Sequence, residues 1–160
     1  HSGSADPDVV VLGHDHDPPT DVVEHLMREG RAHLVAGLRG VDGVVGPFVR
    51  PGASACLRCA DLARCAVDRG WAPLREQLSR ADPAARRSGS PASAVVTCAV
   101  AALATAEVLA QVEGREPDTL GGTATLCLHN PVPVVRTLPT DPSCGCTWDS
   151  EFALRRQWSA

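Results

Sequence analysis

The residues of this chain point to an α/β fold, and three observations carry that reading. The apolar run Val9-Val10-Val11-Leu12, closed by Gly13, has the pattern of a parallel strand covered on both faces. A segment with helix start and stop signals follows it, and a second strand-like run extends from His33 to Leu38. Strand, helix and strand in that order predict a βαβ crossover. With 160 residues and 44% hydrophobic content, the chain can bury one good core, so a single domain is expected.

Taken in order, His1-Ser2-Gly3-Ser4 reads as the remnant of a purification tag, residues 1–7 as a linker and Asp8 as the entry to the first strand. Thr20 and Asp21 supply a helix start, Val22, Val23, Leu26 and Met27 share a helical face, and Gly30 supplies the stop. After the second strand, glycines at 37, 40, 43 and 46 permit a tight hairpin from which Val44 to Val49 returns antiparallel. Helical patterns resume from Cys59 to Ala66 and from Leu74 to Leu78. Residues 81–91 (ADPAARRSGSP) mix Pro, Gly, Ser and Arg and read as a surface loop. Ser93 to Val112 is the strongest helix, apolar nearly all round, and is expected to be long, central and buried. Ala124 to Leu128 and Val132 to Leu138, separated by Asn130-Pro131, predict a late pair of strands. The domain is expected to span 8–148, with 149–160 as a peripheral tail.

A net charge of −4 offers no electrostatic footprint for nucleic acid or an anionic membrane. No apolar run is read as reaching the roughly 20 residues of a membrane span, and the N-terminus lacks the layout of a secretory signal, so a cytoplasmic protein is expected. Seven cysteines, an odd number, argue against a disulfide framework in such a compartment and for metal ligation or burial.

Four of those cysteines come in two close pairs, Cys56-Leu57-Arg58-Cys59 and Cys144-Gly145-Cys146. Paired thiolates suit tetrahedral zinc, and four protein ligands leave no open position for a catalytic water, so a structural Zn²⁺ site is expected. The second pair has one intervening residue where two or more are usual, which makes Gly145 the residue that permits the turn. Four ordinary buried cysteines, or a redox C-x-x-C, are the alternatives. Cys98 and Cys127 lie in apolar runs and read as small core residues, as does Cys65, with a spare ligand or reactive thiol as its other reading. Gly13-His14-Asp15-His16-Asp17 follows a strand, where open α/β sheets place ligands, and could bind Mg²⁺ or a second metal ion; a solvated polar loop explains it equally. His129, beside a proline-rich turn, reads as structural. The chain contains no nucleotide-binding glycine fingerprint, G-x-S-x-G or Walker motif.

In this order the features resemble the C-terminal half of ThiF-like proteins, the bacterial relatives of ubiquitin-activating enzymes. The matching pieces are Asp8 to Asp15, Val45-Gly46-Pro47-Phe48-Val49-Arg50-Pro51-Gly52, the Cys56/Cys59 knuckle, the Ala-rich helix and the final cysteine pair. Gly46 to Gly52, Cys56-Leu57-Arg58-Cys59-Ala60-Asp61-Leu62 and Trp71-Ala72-Pro73 look most like an actinobacterial branch of leader-peptide-binding or cyclodehydratase-associated proteins of thiazole/oxazole-modified peptide biosynthesis.

That resemblance implies the C-terminal part of a Rossmann-type domain. It also implies a role in presenting a ribosomal precursor (leader) peptide to a YcaO-type partner, and a homodimer. In catalytic members an N-terminal half carries the glycine-rich ATP loop, which nothing in this chain replaces, so Mg-ATP is implied for the full-length protein alone. The family signature after the strand is two acids and an Asn. Asp15 aligns with the second acid, which helps hold Mg-ATP, whereas Leu12 and His16 stand at the other two positions. The alternatives are a fragment of an ATP-dependent adenylating or sulfur-transfer enzyme and a zinc-bearing dimerisation scaffold.

Overall fold

Strand β1 (Val10–Gly13), helix α1 (Thr20–Arg28) and strand β2 (His33–Arg39) open the fold, with Val10 to Gly13 paired in parallel to His33 to Ala36. This computed structural model describes residues 7–14, 17–80 and 94–147. The N-terminal linker through residue 6, the loop 81–91 and the tail 149–160 lie outside the described residues. Pro19, with φ −55°, occupies the N-cap position of α1, so Thr20 is the first helical residue rather than a cap. Gly30 stops the helix at φ +65°.

The remaining strands are antiparallel. β3 (Asp42–Val49) folds back on β2 around Gly40, which adopts φ +64°, and β4 (Gly122–Cys127) and β5 (Asn130–Thr137) follow in the spatial order β1-β2-β3-β4-β5. Between β3 and β4 run α2 (Leu57–Val67), α3 (Trp71–Arg80) and α4 (Ala94–Val112). Alternation decides which face each side chain serves. Leu34, Ala36, Val45, Phe48 and Leu126 meet Val96, Val100 and Ala104 of α4 on one face. On the other, Leu12 and Val35 meet Leu26 of α1, and Val49 meets Ala55, Cys56, Cys59 and Cys146.

The structure corrects several expectations. α4 is covered on one side alone: Val96, Val100, Ala104, Glu107 and Ala110 are buried, while Val95, Leu109 and Val112 are 68, 48 and 61% exposed. At 19 residues and a mean hydropathy of 1.9 over its most apolar window, α4 also reaches membrane-span length, contrary to the reading from sequence. Its packing on β2, β3 and β4 accounts for the buried part of that window, which is 28% of it. Cys98 is exposed on α4 and Cys127 and Cys65 are half-buried, so none is a fully buried core residue. β1 is an edge strand, and Val11 is 48% exposed where cover on both faces was expected. Residues 132, 134 and 135 of β5 are exposed too.

Among the described residues, the polar residues His33, Ser54, Glu107 and Thr119 are buried in this framework. Glu107 turns inward and accepts hydrogen bonds from Thr119 N (2.9 Å) and Oγ1 (2.6 Å). Phe48 N donates to Thr119 O at 2.9 Å, which ties the loop after α4 to the end of β3. His33 is fully buried; its Nδ1 donates to Arg31 O at 2.9 Å and its Nε2 has no partner among the described residues.

Burial holds the His33 pKa below its ordinary value, against the opposing pull of the Arg31 carbonyl. The unfolded chain therefore binds the proton first as pH falls through about 6.5. Folding stability is expected to decrease with pH from there down to the lower folded-state pKa, by at most about 1.4 kcal/mol per pH unit for one proton. Urea unfolding at pH 5 and pH 7 checks this, and His33→Leu should flatten that part of the pH dependence.

Candidate metal centre

β3 ends at Val49, and the chain turns at once. Ala53 N and Ser54 N donate to Arg50 O at 3.0 and 3.1 Å, and Arg50 N donates to Ser54 Oγ at 2.9 Å. Gly52 at φ +86° closes the turn. This delivers Cys56 in extended conformation as the N-cap of α2, with Cys59 in its first turn. A spacing of three across a helix start sets both thiols on one side.

The C-terminal arm meets them from the opposite direction. Leu138 N donates to Gly121 O at 2.8 Å, continuing the register of β5. The Asp141 carboxylate then accepts from Ser143 N (2.8 Å) and Oγ (2.6 Å), while Cys144 N donates to Asp141 O at 3.0 Å. Gly145 has φ +70°, the conformation expected from a single residue between two ligands. Gly52 N donates to Cys146 O at 3.0 Å, locking the two loops backbone to backbone.

The sulfur atoms of Cys56, Cys59, Cys144 and Cys146 all lie within 4.8 Å of one another, with Cys56–Cys144 at 3.6 Å and Cys59–Cys146 at 3.3 Å. A tetrahedral ion with bonds of about 2.3 Å to sulfur sets its ligands about 3.8 Å apart, so the donor set fits a thiolate-bound metal. Electrostatics point the same way. Without a cation, burial and the neighbouring cysteines push the Cys144 thiol up to about 12, and the same causes push Cys146 up further. Burial would also raise Cys59, but hydrogen bonds from the backbone of Asp141, at 3.4 Å, and of Cys56 outweigh it and lower its pKa. The two raised thiols hold their protons most tightly, and four thiolates coexist there when a cation offsets their charge. Metal uptake at neutral pH is therefore expected to release at least two protons per ion, chiefly from Cys144 and Cys146. Calorimetric titration in buffers of different ionisation enthalpy measures that number.

Around the cluster lies a support that sequence reading missed. Arg75 pairs with Asp61 at 2.9 Å, Trp71 Nε1 donates to the same carboxylate at 3.1 Å, and the Arg64 guanidinium stacks 4.6 Å from the Trp71 ring centre. These fix α3 against α2, which carries Cys59. Arg50 Nε donates to Gln111 Oε1 at 2.9 Å and so ties the turn before the knuckle to α4. Asp61 and Arg64, three apart on α2, were the available signal; Arg50 and Gln111, 61 residues apart, left none.

Asp15 and His16 lie outside the described residues. Beside them, Asp17 is engaged by Arg39 at 2.7 Å, so that end of the polar loop has a structural partner. His129 is exposed at the β4–β5 turn. Cys65, Cys98 and Cys127 stand apart from the four-cysteine cluster.

Fold and site together define a mixed α/β domain whose C-terminal arm is held by a four-cysteine cluster. No known family profile matches the sequence, and no curated protein matches it. Solved structures share the fold. Escherichia coli MccB, crystallised with AMPCPP and the peptide MccA, superposes with a TM-score of 0.61 at 22% identity, covering 88% of this chain and 39% of that one. The microcin C7 biosynthetic enzyme MccB with N-formylated MccA gives 0.63 at 19% identity over 89% of this chain and 42% of that one. The heterocyclase TruD gives 0.62 at 16% identity over 93% of this chain and 23% of its own. At such identities the likeness is one of fold, and the chain spans about two fifths of MccB.

Proposed function

We propose that this chain is a zinc-stabilised ThiF-like domain of a cytoplasmic protein that presents a ribosomal precursor peptide to a YcaO-type cyclodehydratase in azole-peptide biosynthesis, without catalysing the reaction alone. The observation that carries this reading is the coincidence of the four-cysteine cluster with a fold shared by MccB, solved with its peptide MccA, and by the heterocyclase TruD. Residues Gly46 to Gly52 and the Cys56/Cys59 knuckle, where the family resemblance is densest, pack directly against the arm that bears Cys144 and Cys146. Cys56, Cys59, Cys144 and Cys146 would hold the zinc ion, which would cross-link the two loops that carry them.

Fluorescence anisotropy with a labelled precursor peptide, with and without the YcaO-type protein, tests the recruitment role. Saturable peptide binding by the full-length protein, and a ternary complex with the partner, are expected. Peptide binding that the protein fails to show in either setting would overturn the reading.

A fragment of an adenylating or sulfur-transfer enzyme is the second reading, favoured by the MccB structures with AMPCPP and with ATP. ATP–pyrophosphate exchange by the full-length protein, lost on Asp15→Ala, would establish it.

A further inference from the structure

The four-cysteine cluster is closed on one side and open on the other. Cys59 is fully buried, whereas Cys56, Cys144 and Cys146 line a pocket of about 650 Å³ between α1 and α2, and Cys144 is the least buried of the four. Val23, Met27 and Leu57 give this pocket apolar walls, and Arg28 and Arg58 line it too. A small neutral oxidant that enters meets three of the four sulfurs.

The sulfurs are also arranged in pairs that cross between the loops. Contacts of 3.6 Å from Cys56 to Cys144 and 3.3 Å from Cys59 to Cys146 each join the knuckle to the C-terminal arm. A disulfide holds its sulfurs about 2.05 Å apart, so each crossing pair closes with a shift of roughly 1.5 Å. The bond from Gly52 N to Cys146 O, at 3.0 Å, keeps the two loops in register while the side chains turn. A bond from Cys144 to Cys146 would span a single residue and close a small, strained ring. Cys56 to Cys59 is the competing pair, and it is disfavoured because Cys59 stands outside the pocket lining.

We propose that Cys56 and Cys144 form a peroxide-sensitive modification site, at which oxidation exchanges a metal cross-link between the two loops for a disulfide. The exchange rests on the metal-site reading; the pairing rests on the sulfur positions alone. The Cys144 thiolate attacks one oxygen of hydrogen peroxide, an S–O bond forms, the O–O bond breaks, and the departing hydroxide takes a proton and leaves as water. Arg28 and Arg58 put positive charge in the pocket where that hydroxide departs. The Cys56 thiolate then attacks the sulfenic sulfur, the S–S bond forms, and a second hydroxide takes a proton and leaves as water. Two thiolates, one peroxide and two protons become one disulfide and two waters; the sulfurs give up two electrons and the peroxide gains them. Two of four ligands are thereby withdrawn from the metal, and Cys59 with Cys146 forms the second disulfide at the expense of a second peroxide. The arm stays tied to the body throughout, because the first new bond joins residues 88 apart across the same two loops. Thiol reductants reverse both bonds and restore the donor set.

Hydrogen peroxide at one and two equivalents, added to the zinc-loaded Cys98→Ser chain, tests this; the substitution removes an exposed thiol outside the cluster. A chelating dye reads released zinc, and mass mapping of tryptic peptides reads the disulfides. Cleavage after Arg58 separates Cys56 from Cys59, and fragmentation of the linked peptides separates Cys144 from Cys146. The expected result is a Cys56–Cys144 bond first and Cys59–Cys146 second, with zinc released in step and regained after dithiothreitol. The oxidised, metal-free chain should unfold about 5 °C or more above the reduced, metal-free one. Disulfides within the pairs, Cys56–Cys59 or Cys144–Cys146, would overturn the proposal. So would oxidation confined to Cys65 and Cys127 with zinc retained, or an oxidised chain no more stable than the reduced, metal-free one. A chain that binds no zinc sinks the metal-site reading, while the same mapping still supports or refutes the Cys56–Cys144 pair.

Discussion

Cys146→Ser is expected to abolish stoichiometric metal binding and to release the C-terminal arm from the body of the domain. A serine hydroxyl at that position removes one of four thiolates, and the remaining three no longer close a tetrahedral site. The arm then depends on the Gly52–Cys146 backbone bond and the small apolar cluster around Val49. A ligand present at a thousandfold excess over its dissociation constant stabilises the folded state by about 4 kcal/mol, so loss of the metal should lower Tm by roughly 12 °C for a chain of this size. The core between α4 and the sheet does not include the cysteines, so the domain should remain folded rather than collapse. Elemental analysis, thermal unfolding and hydrogen exchange of residues 138–147 read the three effects. Cys65→Ser, outside the cluster, should change none of them, and a metal-free wild-type chain with full stability would refute the site.

Glu107→Ala should be the most damaging substitution remote from the cysteines. Its carboxylate accepts two hydrogen bonds from Thr119 in a buried setting, and each charge-assisted bond contributes about 1.5–3 kcal/mol. Removing it leaves the Thr119 N–H and hydroxyl without their acceptor while Phe48 still bonds the Thr119 carbonyl, so the loss should reach about 3–5 kcal/mol. Glu107→Gln keeps an acceptor oxygen and should cost about half as much. Urea unfolding midpoints measure both. The loop from 117 to 121 also packs on the turn that precedes Cys56: at Gly121, with φ +58°, a Cβ would press against Ala55 N at 3.1 Å. Damage at Glu107 should therefore weaken metal affinity as well, through a chain of contacts rather than through the ligands.

Gly46→Ala is expected to be harmful for a steric reason. Its backbone has φ +104°, and an added Cβ would overlap the Gly122 carbonyl oxygen across the β3–β4 pair. Expression and thermal unfolding of the variant would register that close approach as a loss of about 2 kcal/mol or more.

Periodicity and spacing alone were enough for the βαβ opening, the hairpin after it, the long Ala-rich helix and the identity of the four clustered cysteines. Apolar runs of strand and helix period leave local marks, and so do two pairs of cysteines beside glycines whose turns they require. Burial was another matter. The same apolar run in 94–112 reads as a buried helix, yet whether its second face is covered depends on what packs there, and Leu109 and Cys98 are exposed because β2–β4 meet one side alone. Edge position is equally invisible in a run such as Val9 to Leu12, since a strand's neighbours are set by topology and not by its own residues. The buried Glu107–Thr119 contact, the orphaned His33 nitrogen and the Arg50–Gln111 tie join residues brought together by folding or depend on burial. Tertiary structure decided these because hydrogen bonding and desolvation act on distance in space, while sequence patterns report separation along the chain.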